Sequence, residues 1–185
     1  MIIRKATRED SQIIAPYIML AMGEIARQFI GENNPEKATL LLEDLIARKG
    51  NQYSYENCWV AENENKVIAA ALVYDGAQLK ALRKPVSEEI KARFNRELNL
   101  ESETQAGEFY IDCIGVNPDQ QGKGVGSKML RFLIDKYVQK ENKILGLLVD
   151  KDNPLAKKLY LRLGFEIVGE KTLAGKSMEH LQCRK

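Results

Sequence analysis

Residues 108–140 contain an apolar run, a glycine-rich turn and a helical pattern in immediate succession. The run EFYIDCIGV, residues 108–116, is rich in aromatic and β-branched residues, which is typical of a strand. The stretch NPDQQGKGVGSKML follows, with glycines at 122, 124 and 126, and apolar residues then recur at helical spacing. This order predicts strand 108–116, loop 117–123 and helix 124–140, and it indicates a fold of the α/β class.

The glycine-rich turn has the chemistry of an anion site. The first amides of a helix have no partner within the helix, and the helix dipole makes this end positive. Residues without a Cβ atom let a ligand approach the backbone closely. A flexible surface turn would also tolerate glycine, but three alternating glycines exceed what a turn needs. We therefore favour anion binding at Gly122, Gly124 and Gly126.

Two nucleotide-binding patterns fit this turn poorly. A GxxxxGK[ST] phosphate loop is absent, because Ser127 occupies the position of its second glycine. A dinucleotide site with Asp150 as ribose ligand is an alternative. Such a site has the spacing GxGxxG, whereas the glycines here are spaced GxGxG. The 35 residues after Asp150 are also too few to complete a doubly wound sheet. Residues 120–164 contain ten Lys or Arg against four Asp or Glu, a surplus that suits a polyanionic ligand.

Periodicity along the rest of the chain predicts one domain over residues 1–185. MIIRKAT is expected to be a strand, residues 9–30 and 35–48 to be helices, and CWVAEN and KVIAAALVY to form a hairpin. The polar segment 75–106 is expected to hold a helix after Ser87; it is a lid, a substrate-binding excursion or a solvated insertion. Later come the strand KILGLLV, a helix from Asn153 with the apolar stripe Leu155, Leu159 and Leu163, and the strands FEIVGE and SMEHLQC.

Composition excludes several classes of function. The formal net charge of +2 gives no support to nucleic-acid or membrane-surface binding, and three scattered cysteines indicate neither a disulfide framework nor a metal site. The apolar run from Ile13 lacks a clear cleavage site and is too short to span a bilayer. We therefore expect a cytoplasmic protein.

Two motifs in order resemble the GNAT superfamily of acyl-CoA-dependent N-acyltransferases. The first is the family's Gln/Arg-x-x-Gly-x-Gly/Ala pattern after a strand, present here as Gln121, Gly124 and Gly126. The second is its Asn-x-x-Ala-x-x-x-Tyr-x-x-x-Gly-Phe pattern, matched by Asn153, Ala156, Tyr160, Gly164 and Phe165. The resemblance implies a single domain of mixed α/β (α+β) type. Its sheet would have about six to seven strands, with parallel fourth and fifth strands splayed apart, flanked by about four or five helices.

The resemblance also implies where acetyl-CoA would bind. The pantetheine arm would pair with the backbone at Ile114 and Val116, in the gap between the fourth and fifth strands. Asn153 would serve both as helix cap and as a hydrogen-bonding group on the cofactor side, and Lys157 would add a cation. The pyrophosphate would lie on the turn formed by Gln121, Gly122, Lys123, Gly124, Val125, Gly126 and Ser127.

Direct transfer of an acyl group to an amine needs a base for the amine and an acid for the leaving thiolate. The resemblance implies Tyr160 as the acid, since a phenol holds its proton at neutral pH; the alternative is a packed aromatic. Asp112 and Glu108 are the candidate bases. They share one face with Tyr110, Ile114 and Val116 if the strand alternates regularly, although a bulge would exchange the faces. The single histidine, His180, is expected to be structural, and no metal is expected.

The sequence therefore predicts an acetyl-CoA-dependent N-acetyltransferase acting on a primary amine of a small molecule, peptide or protein. The alternative is a non-catalytic acyl-CoA-binding or sensing domain of the same fold. Neither the acceptor nor the acyl-chain preference can be read from the residues, and a homodimer is left open. No nucleic-acid or membrane partner is expected.

Overall fold

The computed structural model describes residues 1–185 and is built around one seven-stranded mixed sheet. The strands lie in the order β1-β2-β3-β4-β5-β7-β6, and every neighbouring pair is antiparallel except β4 and β5, which are parallel. The predicted mixed sheet with parallel fourth and fifth strands is confirmed. The strands are β1 Ile2–Lys5, β2 Cys58–Asn63, β3 Lys66–Asp75, β4 Glu108–Val116, β5 Ile144–Asp150, β6 Glu166–Leu173 and β7 Lys176–Cys183.

Five helices cover the two faces of the sheet, and each face carries its own apolar core. The first three helices pack on one face, which we call the α1 face. The fourth and fifth lie on the other, the α4 face. They are α1 Ser11–Ile30, α2 Pro35–Ile46, α3 Leu79–Phe94, α4 Val125–Leu133 with a π-helical continuation Ile134–Lys140, and α5 Pro154–Arg162.

Local signals explain most of the helix boundaries. Asn34 caps α2, because its side-chain oxygen accepts the N–H of Lys37 at 3.0 Å. Gly31 ends α1 with φ of 71°, a left-handed conformation that glycine adopts without steric cost. These boundaries agree with the predicted helices 9–30 and 35–48.

Helix α3 differs from the prediction, which placed its start after Ser87. It begins at Leu79, after a short 3₁₀ turn in which the Asp75 carboxylate accepts the N–H of Ala77 at 2.9 Å. Ser87 lies inside the helix, where its hydroxyl donates to the Arg83 carbonyl instead of capping a first turn. Leu79, Val86 and Ile90 of α3 pack in the core of the α1 face. This packing overrides the local cap signal, and the segment 75–106 is therefore partly built into the α1 face.

The expectation that the apolar run from Ile13 is too short to span a bilayer does not hold for the helix that contains it, α1. With the preceding turn it covers 23 residues, Arg8–Ile30, and is long and apolar enough to cross a membrane by length and composition alone. Its buried residues, among them Ile14, Ile18 and Phe29, pack in the core of the α1 face. The same apolar pattern therefore serves as a core helix against the sheet.

Candidate active site

The parallel strands β4 and β5 part halfway along their length. They pair only from Glu108–Ile111 to Ile144–Leu147, whereas β4 continues to Val116 and β5 to Asp150. A cleft of about 810 Å³ lies at this opening. Because residues 112–116 have no partner on the β5 side, an extended ligand could add there as a further strand does.

A bulge at Asp112 sets which side chains of β4 face which side of the sheet. Leu72 lies opposite Cys113 and Val73 opposite Ile111, so Asp112 is an extra residue between the two pairs. Tyr110 and Cys113 consequently join the core of the α1 face, while Ile111 lies in the core of the α4 face and Ile114 and Val116 pack against it. The single shared face expected from regular alternation is wrong beyond Asp112, because the bulge exchanges the two sides.

Asp112 is half-buried and lines the cleft. Its Oδ2 atom accepts hydrogen bonds from Gln52 Nε2 and from the Tyr74 hydroxyl, each at 2.8 Å. Burial, and next the neighbouring charge of Glu103, raise the pKa of Asp112 to about 6. A carboxylate with this pKa is ionised at pH 7 and is a stronger base than an ordinary aspartate.

Glu108 lies at the paired end of β4 and is buried. Its Oε1 accepts from the Thr104 hydroxyl at 2.7 Å, and its Oε2 contacts His180 Nε2 at 2.8 Å and accepts from Gln182 Nε2 at 2.7 Å. Burial opposes ionisation of Glu108, but the hydrogen bonds from these three partners outweigh it and lower its pKa. Of the two candidate bases, only Asp112 lines the cleft.

Tyr160 reaches the cleft from α5. Asn153 caps this helix, because its side-chain oxygen accepts the N–H of Ala156 at 3.1 Å. The Tyr160 ring packs edge-on against Phe165 at a centroid distance of 5.9 Å. Burial, with a smaller effect of nearby Cys113, raises the pKa of Tyr160, so its hydroxyl keeps its proton at neutral pH.

The expected stripe on α5 is only partly present. Leu159 and Leu163 pack against the core of the α4 face, whereas Leu155 is 81% exposed. Leu155 stands in the first turn, just after Pro154, where the helix has not yet come against the sheet. Its inclusion in the stripe is therefore wrong.

The glycine-rich turn holds its backbone in left-handed conformations. Gly122 has φ of 75° and Gly124 has φ of 78°, and a Cβ atom at either position would meet nothing within 4 Å. Glycine is therefore required there by backbone angle and not by crowding. The Gln121 side chain bends back and donates to the Val116 carbonyl at 3.3 Å.

Five backbone amides within residues 122–127 are available to a ligand. None of them donates a hydrogen bond within the chain, and four of them open α4 or precede it directly. Unpaired amides at the positive end of a helix suit the oxygens of a pyrophosphate. The amides are those of Gly122, Gly124, Val125, Gly126 and Ser127.

The lysines expected on the cofactor side are placed differently. Lys123 is exposed on the glycine-rich turn. Lys157 lies on α5 and forms an ion pair with Glu179, its Nζ atom 2.8 Å from Oε1. The other carboxylate oxygen of Glu179 is buried and has no hydrogen-bond partner. In this structure, therefore, the Lys157 ammonium group is paired with Glu179 and not free on the cofactor side.

The far wall of the cleft is formed by α1 and by the β6–β7 hairpin. Helix α1 bends at Met22, whose φ of −130° and ψ of 24° are not helical. Beyond this bend Glu24 Oε2 lies 2.9 Å from Lys176 Nζ, and this ion pair joins the two walls. The charged residues lining the cleft are Glu24, Glu103, Asp112, Asp150 and Asp152 against Arg27 and Lys176.

Sequence reasoning did not identify four residues around Asp112. Gln52 and Tyr74 contact its carboxylate, and Glu103 shares those two donors and is paired with Arg83. These residues come from a loop, β3, the segment after α3 and α3 itself. No local motif joins them. The polar character of 75–106 was a signal for Arg83 and Glu103 only, and no pattern in the sequence indicated Gln52 or Tyr74.

Comparisons with known proteins agree with this architecture. A family model described as the Acetyltransferase (GNAT) family matches residues 21–165. A crystal structure described as that of an acetyltransferase is 32% identical, with a TM-score of 0.82, over 100% of this chain and 99% of its own. An N-acetyltransferase structure from Staphylococcus aureus, 24% identical, shares the fold with a TM-score of 0.84 over 98% of this chain and 100% of its own.

Two curated relatives match over shorter stretches. The N-alpha-acetyltransferase RimI of Mycobacterium tuberculosis is 39% identical over 62 residues, which are 34% of this chain and 37% of the relative. The mycothiol acetyltransferase of Corynebacterium aurimucosum is 37% identical over 71 residues, 38% of this chain and 23% of the relative. The matched stretches thus span about a third and about a quarter of these two relatives.

Proposed function

The chain belongs to the GNAT acetyltransferase family, and from that membership we propose that it transfers the acetyl group of acetyl-CoA directly to a primary amine. The observation that carries the proposal is the cleft where β4 and β5 part, which brings Asp112 and Tyr160 to the walls of one cavity. The unpaired amides of the glycine-rich turn and the open backbone edge at Ile114 and Val116 suit the pyrophosphate and the pantetheine arm.

In this proposal acetyl-CoA supplies the activated acyl group as a thioester. Asp112 accepts a proton from the ammonium form of the acceptor or from the attacking amine, because its carboxylate is ionised above its pKa of about 6. Tyr160 donates its proton to the sulfur that leaves. No covalent enzyme intermediate is needed: Cys113 lines the cleft, but burial raises the pKa of its thiol well above the ordinary value.

The lining charges favour a cationic acceptor. Five carboxylates against two cations make the cavity walls negative, and an ammonium group would be attracted to them. The names of the two curated relatives suggest an α-amino group of a peptide or the amine of a small molecule as acceptor classes to test first. The three cysteines are unpaired and buried, which supports a reducing, cytoplasmic location.

Two measurements test the proposal. Acetyl-CoA at about 100 times its Kd should stabilise the fold by about 2.7 kcal/mol and raise the melting temperature by several degrees. Release of free thiol from acetyl-CoA should then rise above the hydrolytic background with at least one amine in a panel of peptides and small molecules. A stabilised protein that releases no thiol with any amine would favour the acyl-CoA-binding alternative, and no stabilisation at all would contradict both.

A further inference from the structure

Asp112 and Glu103 share their hydrogen-bond donors. The Tyr74 hydroxyl lies 2.8 Å from Asp112 Oδ2 and 3.1 Å from Glu103 Oε1, and Gln52 Nε2 lies 2.8 Å and 2.9 Å from the same two atoms. A phenol has one proton and can donate it to only one carboxylate at a time. The Tyr74 hydroxyl therefore links the two acids, and the primary amide can supply one N–H to each.

Glu103 and the two shared donors are buried beside a single guanidinium. Glu103, Gln52 and Tyr74 are each no more than 3% exposed. Arg83 forms an ion pair with Glu103 Oε2 and also donates to the carbonyls of Leu100 and Glu101, at 3.2 and 3.0 Å. Arg83 is therefore held on the Glu103 side of the pair, and Asp112 has no ion-pair partner of its own.

Besides burial, the charge of Asp112 helps to raise the pKa of four further ionisable groups, which are neutral at pH 7. They come from the loop before β2, from β2 and from β4, and burial raises the pKa of each of them. They are Tyr53, Cys58, Tyr110 and Cys113. From the other elements around the cleft, the charged groups are Glu24 and Arg27 of α1, Asp150 at the end of β5, Asp152 after it, and Lys176 of the hairpin.

We propose that Glu103, fixed by Arg83, is a positioning residue for Asp112: through Tyr74 and Gln52 it orients the Asp112 carboxylate and, by its charge, strengthens it as a base. The proposal rests on the proposed function for its catalytic consequence only. It assigns a role to the polar segment 75–106, which supplies both Arg83 and Glu103. The proton taken from the amine stays on Asp112 until water removes it, and Glu103 acts through its charge and through the donors that it shares with Asp112.

Removing the charge of Glu103 and removing the charge of Arg83 should shift the pKa of Asp112 in opposite directions. Glu103→Gln removes a neighbouring negative charge, so the pKa of Asp112 should fall from about 6 toward the ordinary aspartate value near 4. Arg83→Gln removes a positive charge, so that pKa should rise. A role limited to folding would not produce shifts of opposite sign.

The test is a ¹³C NMR titration of aspartate carboxyl groups in the free protein, with the Asp112 signal assigned by its loss in Asp112→Asn. Glu97→Gln is the matched control, because Glu97 lies in the same segment but pairs only with Lys91 on the surface; it should leave the titration unchanged. If Arg83→Gln does not fold, the double variant Arg83→Gln/Glu103→Gln removes both charges together. Its Asp112 pKa should lie between that of Glu103→Gln and that of the native protein.

An Asp112 titration that is the same in Glu103→Gln as in the native protein would overturn the proposal. The titration needs no acetyl transfer, so its outcome is separate from the proposed function, which fails if the native protein acetylates no amine. Where activity is found, Glu103→Gln should lower kcat about tenfold at pH 8 and leave the KM for acetyl-CoA unchanged, and the acidic limb of the pH profile should move to lower pH. An unmoved acidic limb would likewise count against the role.

Discussion

Glu108 of β4 and His180 of β7 meet across the intervening strand β5, with Glu108 Oε2 2.8 Å from His180 Nε2. The Glu108 carboxylate lies over Gly146, and a Cβ atom at Gly146 would collide with it. The missing side chain of β5 therefore lets two strands that are not neighbours exchange a buried polar contact. This contact gives the single histidine of the chain a structural partner.

Gly146→Ala should consequently destabilise the fold. The new methyl group must displace the Glu108 carboxylate, and overpacking of this kind costs about 1–3 kcal/mol of the free energy of unfolding. Urea unfolding monitored by circular dichroism would measure it. Gly169→Ala in β6 is the matched control, because a Cβ atom there meets nothing within 4 Å. Equal losses in the two variants would contradict the importance of the Glu108–His180 contact.

Glu108→Gln tests whether this carboxylate is structural and not the base. The folded state lowers the pKa of Glu108, so its stabilising effect is present above the ordinary glutamate pKa and disappears as pH falls through the folded value. We expect the variant to lose about 1–3 kcal/mol at pH 7 and the difference from the native protein to shrink in acid. Thiol-release assays should show less than about a tenfold loss of turnover. A loss of several hundredfold would instead favour Glu108 as the base.

Asp112→Asn should separate activity from stability. Turnover is expected to fall about 10²- to 10⁴-fold, because a positioned base contributes on that order. The raised pKa of about 6 means that the ionised form of Asp112 disfavours folding, an effect absent below the ordinary value near 4 and complete above about 6. The variant should therefore be more stable than the native protein by about 1–3 kcal/mol at pH 8 and equally stable at pH 4. Urea unfolding at both pH values measures this; a variant less stable at pH 8 would show that the charge is well accommodated.

The native enzyme should lose activity in acid. As pH falls through about 6, Asp112 gains a proton and can no longer accept one from the amine. We expect kcat/KM to fall along an acidic limb with an apparent pKa near that value. A profile that stays flat from pH 5 to pH 8 would contradict the role of Asp112.

Tyr160→Phe should remove the proton donor and leave the cleft intact. The ring of Phe can keep the edge-on contact with Phe165, so acetyl-CoA should bind with unchanged affinity by calorimetry. Turnover should fall about 10²-fold or more, since the leaving thiolate loses its acid. Tyr55→Phe, a tyrosine outside the cleft lining, is the control. Unaltered turnover in Tyr160→Phe would remove this residue from the acid role.

Gly124→Ala should weaken acetyl-CoA binding beyond its effect on folding. The residue has φ of 78°, and placing a side chain in this left-handed conformation costs about 1–2 kcal/mol. Relief of that strain would turn the amides of the glycine-rich turn away from the pyrophosphate. Gly50→Ala is the matched control, because Gly50 has φ of 70° and equally open surroundings but lies away from the cleft. Equal changes of acetyl-CoA affinity in the two variants would contradict the pyrophosphate site.

The sequence by itself determined the elements whose causes are local. Asn34 and Asn153 cap the starts of α2 and α5, and Gly31 ends α1. The strand, glycine-rich turn and helix of 108–140 follow from propensity and periodicity. The two motifs together predicted the family and the mixed sheet. Propensity and capping act over a few residues, so a sequence displays them directly.

The tertiary structure decided everything that depends on residues far apart in the chain. The bulge at Asp112 follows from the pairing of β3 with β4, and it sends Asp112 to one side of the sheet and Ile114 to the other. Helix α3 begins at Leu79 because its apolar side chains pack in the core of the α1 face, against the local signal at Ser87. Glu103, which we propose strengthens Asp112 as a base, is connected to Asp112 by no spacing rule. Burial and charge proximity are properties of assembled elements, and for that reason only the folded chain reveals that Asp112, and not Glu108, lines the cleft.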